Sequence, residues 1–181
     1  MAPTSIALAS VRSPIGAILV AADERALLAL EFEDFEARLM AGLKARFGAV
    51  PTKQARDPLG IATQLRAYLD GDLAALEAIS VDPGGSPFQK RVWSALRRVP
   101  AGRTWSYGQM ARRLGSPTAL RAVGNANGRN PISIVIPCHR LIGSDGSLTG
   151  YGGGIARKRW LLAHEGALPG ASRAARRNQP P

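Results

Sequence analysis

The sequence predicts an α+β protein, with a small antiparallel sheet in its N-terminal part and mostly helices in its C-terminal part. Short apolar runs separated by turn residues fill the first third of the chain, as in a sheet. Beyond residue 86, apolar residues instead recur at helical spacing. The segment Asp82-Pro83-Gly84-Gly85 lies between the two patterns and has the composition of a linker. We therefore predict an N-terminal α/β domain over residues 1–82 and a second domain over residues 86–166.

The N-terminal domain is predicted to hold a meander of strands and two helices. Strands are expected at residues 5–11, 17–22 and 26–32, with a further short one at 78–81. A helix is expected over residues 34–47, where large apolar side chains recur every four positions and Gly48 provides the stop. A second helix is expected from Pro58 to Leu69, ended by Gly71.

Helix-start signals recur in the second domain. Ser86-Pro87 and Ser116-Pro117 each place a capping residue before a proline, and Ser106 with Gln109 has the form of a capping box. Helices are therefore expected over residues 87–99, 106–114 and 116–126. The last two are joined through Gly115, and two short helices joined in this way are typical of a helix-turn-helix.

The remainder of the second domain surrounds the only cysteine. Residues 132–136 are apolar and β-branched, and they predict a buried strand that leads into Pro137-Cys138. Residues 143–154 are rich in glycine, and residues 155–165 predict a closing helix. Residues 167–181 have little apolar content and predict a disordered basic tail.

Basic residues are concentrated in the C-terminal part. Residues 1–80 hold 8 Lys and Arg against 10 Asp and Glu, whereas residues 81–181 hold 16 against 3. Phosphates release counterions to such a surface, so a polyanionic partner is indicated. The alternative is the solvated basic surface of an arginine-rich proteome. Arg121 and Arg129, in and just after the second helix of the pair, favour a DNA-binding motif over an ordinary helical hairpin.

The cysteine and histidine content limits the chemistry. One cysteine excludes an internal disulfide, and with only two histidines a structural zinc site is not expected, so we predict no metal and no cofactor. No apolar stretch approaches the roughly 20 residues of a membrane helix, and residues 1–14 lack the features of a signal peptide, so a cytoplasmic protein is expected. A lone cysteine is more often inert packing than a nucleophile, so the neighbours of Cys138 must decide its role.

Cys138 stands in the segment Pro137-Cys138-His139-Arg140. A thiol is nucleophilic as the thiolate, which requires positive charge, a base or backbone donors nearby. His139 can take the thiol proton, and Glu165 in the final predicted helix can orient and charge the imidazole. These residues predict a Cys-His-Glu relay, which suits an alkyl acceptor but also a cysteine hydrolase or acyltransferase.

A series of motifs between residues 88 and 165 narrows the choice. In chain order they are Phe88-Gln89-x-x-Val92-Trp93, Ser106-Tyr107, Arg121-Ala122-Val123-Gly124, Asn130-Pro131-x-x-x-x-Ile136-Pro137-Cys138-His139-Arg140, Gly146-x-Leu148-Thr149-Gly150-Tyr151-x-Gly153-Gly154 and Lys158-x-Trp160-Leu161-Leu162-x-x-Glu165. Together they closely resemble the O6-alkylguanine-DNA alkyltransferase family. The resemblance implies a ribonuclease H-like N-terminal fold, a C-terminal winged helix-turn-helix, and direct reversal of DNA alkylation damage.

The resemblance also implies roles for the matching residues. Cys138 would accept the alkyl group irreversibly, in a single turnover, from O6-alkylguanine and also from O4-alkylthymine in a flipped-out nucleotide. His139 would deprotonate Cys138 through a water molecule, and Glu165 would steer His139. Asn130 would tie the cysteine segment to the helix-turn-helix, and Tyr107 would donate a proton towards guanine N3. The base pocket would be lined by Tyr107, Val135, Tyr151, Gly152 and Gly153.

DNA recognition follows from the same resemblance. Arg121 would insert into the base stack in place of the flipped nucleotide. The residues that contact DNA would be Ser106, Arg121, Ala122, Gly124 and Arg129. The expected partner is double-stranded DNA that contains O6-alkylguanine, bound through its minor groove by a nucleoid-associated monomer that can bind cooperatively. Gly152 stands where some members have a serine, so a backbone donor must replace any hydroxyl contact there.

Two other functions stay open at this stage. A cysteine hydrolase or acyltransferase would use the same relay but would need neither the basic C-terminal part nor the helix-turn-helix. A non-catalytic binder of damaged DNA would not need an acceptor cysteine, and Cys138 is present.

Overall fold

The computed structural model describes residues 3–168 and shows the α+β fold that the sequence predicts, with a sheet in the N-terminal part and mostly helices in the C-terminal part. The strands are Ile6–Val11 (β1), Ile18–Ala22 (β2), Leu27–Phe32 (β3), Thr52–Gln54 (β4), Trp105–Ser106 (β5) and Leu141–Ile142 (β6). The helices are Glu36–Phe47 (α1), Ile61–Leu69 (α2), Pro87–Leu96 (α3), Tyr107–Arg113 (α4), Leu120–Gly128 (α5) and Ile155–His164 (α6). The tail predicted over residues 167–181 lies, from residue 169 onward, outside the described residues.

The N-terminal sheet has the strand order β3-β2-β1-β4. Its first three strands form the predicted antiparallel meander, but β4 adds parallel to β1, so the sheet is mixed. The sequence did not predict β4, because its three residues are polar and exposed and show no hydrophobic alternation. The strand predicted at residues 78–81 is reduced to one bridge between Leu27 and Val81.

Both faces of this sheet are covered, so β3 is buried along its whole length. Leu39 and Leu43 of α1 pack on one face. On the other face, Phe32 of β3 and Tyr68 of α2 join a core that continues to Trp93 of α3. Because the N-terminal and C-terminal parts share this core, the division into domains at residues 83–85 stays a prediction.

The N-cap predicted at Ser86 and the capping box predicted at Ser106 are both present, and Ser86 also forms a full capping box with Gln89. Ser86 accepts a hydrogen bond from the Gln89 backbone N–H (3.3 Å), and the Gln89 side chain accepts one from the Ser86 N–H (2.8 Å). Ser106 and Gln109 repeat the arrangement at 3.1 and 2.7 Å. The second box fixes Tyr107 as the first residue of α4.

The start of α5 differs from the prediction at Ser116-Pro117. The helix begins at Leu120, because Ser116 still belongs to the hydrogen-bonded C-terminal end of α4. Gly115 has a φ of +70°, and the Ser116 N–H donates to the Ala111 carbonyl (3.0 Å), which is the bonding pattern of a Schellman helix end. The two helices α4 and α5 then pack together as a helix-turn-helix.

The strand predicted at residues 132–136 is wrong, because this segment forms a tight turn inside the core. Ile134 has a φ of +68°, a conformation that is unusual for a β-branched residue. The Ile136 N–H donates to the Ile132 carbonyl (3.0 Å), and only Ile132 makes a strand-like bridge, to Leu30 of β3. The apolar run predicted burial correctly, but so short a run does not distinguish a strand from a buried turn.

A parallel pair of short strands, β5 and β6, connects the start of α4 to the segment that follows the cysteine. Ser106 pairs with Ile142, and α6 packs against a 3-10 helix formed by Cys138–Arg140. Within residues 3–168 no helix is both long and apolar enough to span a membrane.

Candidate active site

Cys138 begins the 3-10 helix directly after the buried turn, and 5% of its surface is exposed. Asn130 holds this turn. Its amide nitrogen donates to the carbonyls of Ile136 (2.8 Å) and Ile132 (3.3 Å), and its side-chain oxygen accepts from the Ile132 N–H (3.0 Å). The Cys138 N–H in turn donates to the Ile136 carbonyl (2.7 Å). The backbone that carries the thiol is therefore fixed by the side chain of Asn130, just beyond the end of α5.

The sheet contributes to the same turn from the opposite side. The Leu30 N–H donates to the Pro131 carbonyl, and the Ser133 N–H donates to the Leu30 carbonyl, both at 2.9 Å. The Ser133 hydroxyl donates to the buried carboxylate of Glu31 (3.3 Å), which also forms an ion pair with Arg38. The cysteine segment is thus hydrogen-bonded to β3 and is not a surface loop.

His139 and Glu165 form the pair that the sequence predicts. The distance from His139 Nε2 to Glu165 Oε1 is 2.9 Å, and both side chains are fully buried. Arg140 donates to both carboxylate oxygens of Glu165, from Nε to Oε2 (3.0 Å) and from Nη2 to Oε1 (2.8 Å). A buried carboxylate with a cationic donor stays ionised, so Glu165 can hold the imidazole in one tautomer.

The pKa values of these groups define the resting state. Burial raises the pKa of the Cys138 thiol to about 11, so the sulfur is protonated at neutral pH. Burial lowers the pKa of His139, although Glu165 opposes this, so the imidazole is neutral. Burial would raise the pKa of Glu165, but His139 and Arg140 hold it well below its usual range. Because Nε2 faces Glu165, Nδ1 is the basic nitrogen of His139, and it has no hydrogen-bond partner among the described residues.

Two tyrosines stand beside Cys138. The Tyr107 hydroxyl donates to the Thr149 carbonyl at 3.4 Å, and burial followed by the charge of Cys138 raises the pKa of Tyr107. Tyr151 is buried, with its ring centre 6.4 Å from that of His139 in an edge-on arrangement. Gly153 must be glycine, because a Cβ there would lie 2.7 Å from the Tyr151 ring and 2.8 Å from that of Phe32. Tyr151 and Gly153 are therefore packed together, and their role as a pocket wall stays a prediction.

Most of the residues assigned to DNA contact lie on the outer side of α5 or directly after it, and Ser106 lies at the start of α4. Arg121, Ala122 and Arg129 are exposed and line a shallow recess next to the start of α3. Gly124 is half-buried on the same helix, and the Ser106 hydroxyl is engaged in capping α4. The inner side of α5 carries Asn127, whose amide donates to the Cys138 carbonyl (3.4 Å). One helix thus presents arginines outward and contacts the cysteine segment inward.

Two of the predicted pocket residues are placed differently. Val135 lines a separate groove of about 760 Å³, together with Trp93, Val99 and Pro137. Gly152 is exposed, and a Cβ there would lie 3.4 Å from the Arg38 guanidinium. The pocket role of Val135 and Gly152 stays a prediction.

Sequence reasoning assigned no role to Tyr68, Asn127 or Lys158, although Lys158 begins one of the motifs. Lys158 is fully buried in α6, where it donates to the carbonyls of Leu141 and Thr149 and so joins the glycine-rich segment to the residues after Cys138. Burial lowers its pKa to about 8. The sequence offered one signal for Lys158, which is a charged residue on the apolar face of a predicted helix. Such a residue is rarely buried without a hydrogen-bond partner.

Comparison with known proteins places this fold and site in a defined class. Residues 6–83 match the family model of the 6-O-methylguanine DNA methyltransferase ribonuclease-like domain, and residues 87–167 match that of the 6-O-methylguanine DNA methyltransferase DNA-binding domain. The class is therefore that of methyltransferases that bind DNA.

Individual relatives identify the family. The methylated-DNA–protein-cysteine methyltransferase of Salmonella typhimurium is 46% identical over 161 residues, which cover 87% of this chain and 94% of the relative. That of Mycolicibacterium paratuberculosis is 47% identical over 156 residues, covering 86% and 90%. The crystal structure of Mycobacterium tuberculosis OGT in complex with DNA has a TM-score of 0.76 and 41% identity, covering 90% and 93%. This chain belongs to the methylated-DNA–protein-cysteine methyltransferase family, whose members repair alkylated DNA.

Proposed function

We propose that Cys138 accepts the alkyl group of O6-alkylguanine from double-stranded DNA, in one irreversible step and once per protein molecule. The observation that carries the proposal is the buried thiol beside the His139–Glu165 pair, on a segment that also contacts the inner side of the DNA-binding helix α5. The proposed setting is the bacterial cytoplasm, on nucleoid DNA, with the protein acting as a monomer that can bind cooperatively.

The transfer requires the thiol to lose its proton during the reaction, because its pKa of about 11 keeps it protonated at rest. In the proposed step the proton passes through a water molecule to His139 Nδ1, and Glu165 stabilises the resulting imidazolium. The Sγ–C bond forms while the C–O6 bond breaks, and the electron pair of that bond moves to the guanine. Guanine N3 gains a proton from Tyr107 while His139 holds the one from the thiol. The proton balance closes when the imidazolium of His139 gives its proton, through water, to the phenolate of Tyr107. The thioether product is stable, so the cysteine is not regenerated.

Access to the alkyl group requires base flipping, because O6 of a stacked guanine cannot reach a buried thiol. We propose that α5 enters the minor groove and that Arg121 occupies the space of the extruded nucleotide. The exposed position of Arg121 on the outer side of α5 supports this role. O4-alkylthymine is proposed as a second substrate, since its alkyl oxygen can occupy the same place in the pocket.

The primary test is mass spectrometry of the Cys138 peptide after incubation with a duplex that contains O6-methylguanine. We expect a mass gain of one methyl group, with one group transferred per molecule even with excess substrate. The Cys138→Ser variant should bind the duplex without gaining mass. An unmodified Cys138 under excess substrate would exclude the function, and turnover beyond one equivalent would exclude the single-use mechanism.

Replacement of Arg121 tests the extrusion step. Arg121→Ala should slow transfer from the duplex by about a hundredfold, because extrusion costs a few kcal/mol, but should change transfer from free O6-benzylguanine little. The matched control is Arg25→Ala, which removes the same charge from an exposed turn of the N-terminal sheet. Equal rate losses on duplex and free base would contradict the assigned role.

A further inference from the structure

We infer that Tyr68, in the N-terminal part of the chain, is a positioning residue for the relay, because its hydroxyl fixes the Glu165 carboxylate and weakens that carboxylate as an acceptor for His139. The inference rests on the proposed function only in that the relay serves alkyl transfer. Neither the motifs around Cys138 nor the matched DNA-binding domain includes Tyr68, which lies in α2.

One carboxylate oxygen receives three hydrogen bonds. Glu165 Oε1 lies 2.7 Å from the Tyr68 hydroxyl, 2.9 Å from His139 Nε2 and 2.8 Å from Arg140 Nη2. Tyr68 and His139 have no exposed surface, and Glu165 is 5% exposed. In such a buried site, each hydrogen bond to a shared acceptor atom changes the strength of the other hydrogen bonds to it. Each bond to Oε1 therefore affects how strongly Glu165 attracts a proton on His139.

Tyr68 acts here only as a donor. Burial, and after it the neighbouring charge of Glu165, raises the pKa of Tyr68 far above its usual value, so the phenol stays protonated at every physiological pH. A neutral donor disperses the charge of the carboxylate without adding a charge of its own. The expected consequence is that Tyr68 lowers the tendency of His139 to become an imidazolium at rest.

The fold holds Tyr68 against the end of α6. His164 Nε2 donates to the Tyr68 carbonyl (2.7 Å), and the two rings meet edge to face with centroids 5.2 Å apart. Trp160 stacks on His164 at 4.9 Å. The helix α6, which ends directly before Glu165, therefore contacts α2 at the same residue that donates to the carboxylate, and the Tyr68 hydroxyl has a fixed position.

Other groups around the relay carry charge. The titratable and charged groups that face His139 or Glu165 are Tyr68 from α2, Cys138 and Arg140 from the 3-10 helix, Lys158 from α6, and Tyr151. Besides His139 itself, the donors to the carboxylate are the uncharged hydroxyl of Tyr68 and the cationic guanidinium of Arg140. Tyr68→Phe therefore removes a hydrogen bond from Glu165 without changing any charge, which makes the test specific.

The experiment compares the pH dependence of transfer for wild type, Tyr68→Phe and Tyr68→Met, with a duplex that contains O6-methylguanine. Without the hydroxyl, Glu165 is a stronger partner for a protonated His139, so the pKa of His139 rises. Since protonated His139 cannot take the thiol proton, we expect the acid side of the rate profile to move up by roughly one pH unit in both variants. NMR titration of the His139 ring should show the same shift, and this chain has only two histidines to assign.

The control is Leu65→Ala, in the same helix, where Leu65 is fully buried but has no polar group. It should lower the unfolding temperature and leave the pH midpoint unchanged. A His139 midpoint in both folded Tyr68 variants equal to that of wild type would overturn the inference, whatever happens to rate or stability. If wild type transferred no alkyl group at all, the proposed function would fail, while the NMR titration would still decide the inference.

Discussion

Replacement of Asn130 by leucine should destabilise the turn that carries Cys138. Leucine has nearly the shape of asparagine but makes no hydrogen bond, so the substitution removes the three bonds of the Asn130 side chain. The carbonyls of Ile132 and Ile136 each keep one backbone partner, from the N–H groups of Ile136 and Cys138. The Ile132 N–H, by contrast, loses its partner and is left buried without one.

The expected loss of unfolding free energy depends on which of these groups keep a hydrogen-bond partner. Two lost bonds whose acceptors keep a partner cost about 0.5–1.5 kcal/mol each, and a buried unsatisfied donor costs about 1–3 kcal/mol. The free energy of unfolding should therefore fall by about 2–6 kcal/mol, a large part of the 5–15 kcal/mol that is usual for a domain. For a chain of this length each kcal/mol corresponds to about 2–4 °C, so the unfolding temperature should drop by roughly 10 °C.

The assay is urea unfolding followed by tryptophan fluorescence, with the rate of methyl transfer measured at a temperature where both proteins are folded. Asn125→Leu is the matched control, since Asn125 is exposed on α5 and should tolerate the same substitution within about 0.5 kcal/mol. A loss below about 1 kcal/mol for Asn130→Leu, or equal losses in the two variants, would refute the argument that Asn130 holds the turn.

Further predictions concern packing and pH. Gly153→Ala should cost about 1–3 kcal/mol and slow transfer, because its Cβ would overlap the Tyr151 ring, whereas Gly42→Ala, with open space around it, should not destabilise in the same thermal scan. Acidification should reduce the unfolding free energy in two stages. The folded pKa of His139 is lowered, so the unfolded chain takes up more protons below about pH 6.5 and stability falls there, and Glu165 adds a second loss below about pH 4.3 for the same reason. The Glu165→Gln variant should show a smaller second stage in urea titrations, although Asp34 and Asp57, whose pKa values are also lowered, keep part of it. A second stage of unchanged size would show that Glu165 is not its source.

Sequence reasoning succeeded where a residue's effect is local. The N-cap at Ser86 and the capping box at Ser106 need only a side chain and the backbone three residues away, and both are present. Cys138 and His139 are adjacent in the chain, so their proximity required no knowledge of the fold. Glu165 was placed with them as the acidic residue of the final predicted helix, and the His139 Nε2 to Glu165 Oε1 distance of 2.9 Å agrees with that placement.

Sequence reasoning failed where tertiary contacts determine the local structure. The apolar residues 132–136 are buried as a turn with Ile134 in a left-handed conformation, because Asn130 and β3 supply the hydrogen bonds that a neighbouring strand would otherwise give. β4 is polar and pairs only because β1 offers a free edge. Tyr68 reads as an apolar-face aromatic of α2, and nothing local reveals that its hydroxyl meets a carboxylate 97 positions later in the chain.

The contact between β3 and the cysteine turn bears on how such proteins can be recombined. A chimera joined at residues 83–85 would take its sheet from one family member and its acceptor segment from another. It would have to preserve the backbone bonds from Leu30 to Pro131 and Ser133, and the hydroxyl that Tyr68 offers to Glu165. Exchange of N-terminal parts should therefore alter the reactivity of the acceptor cysteine, even though the sequence around Cys138 is left untouched.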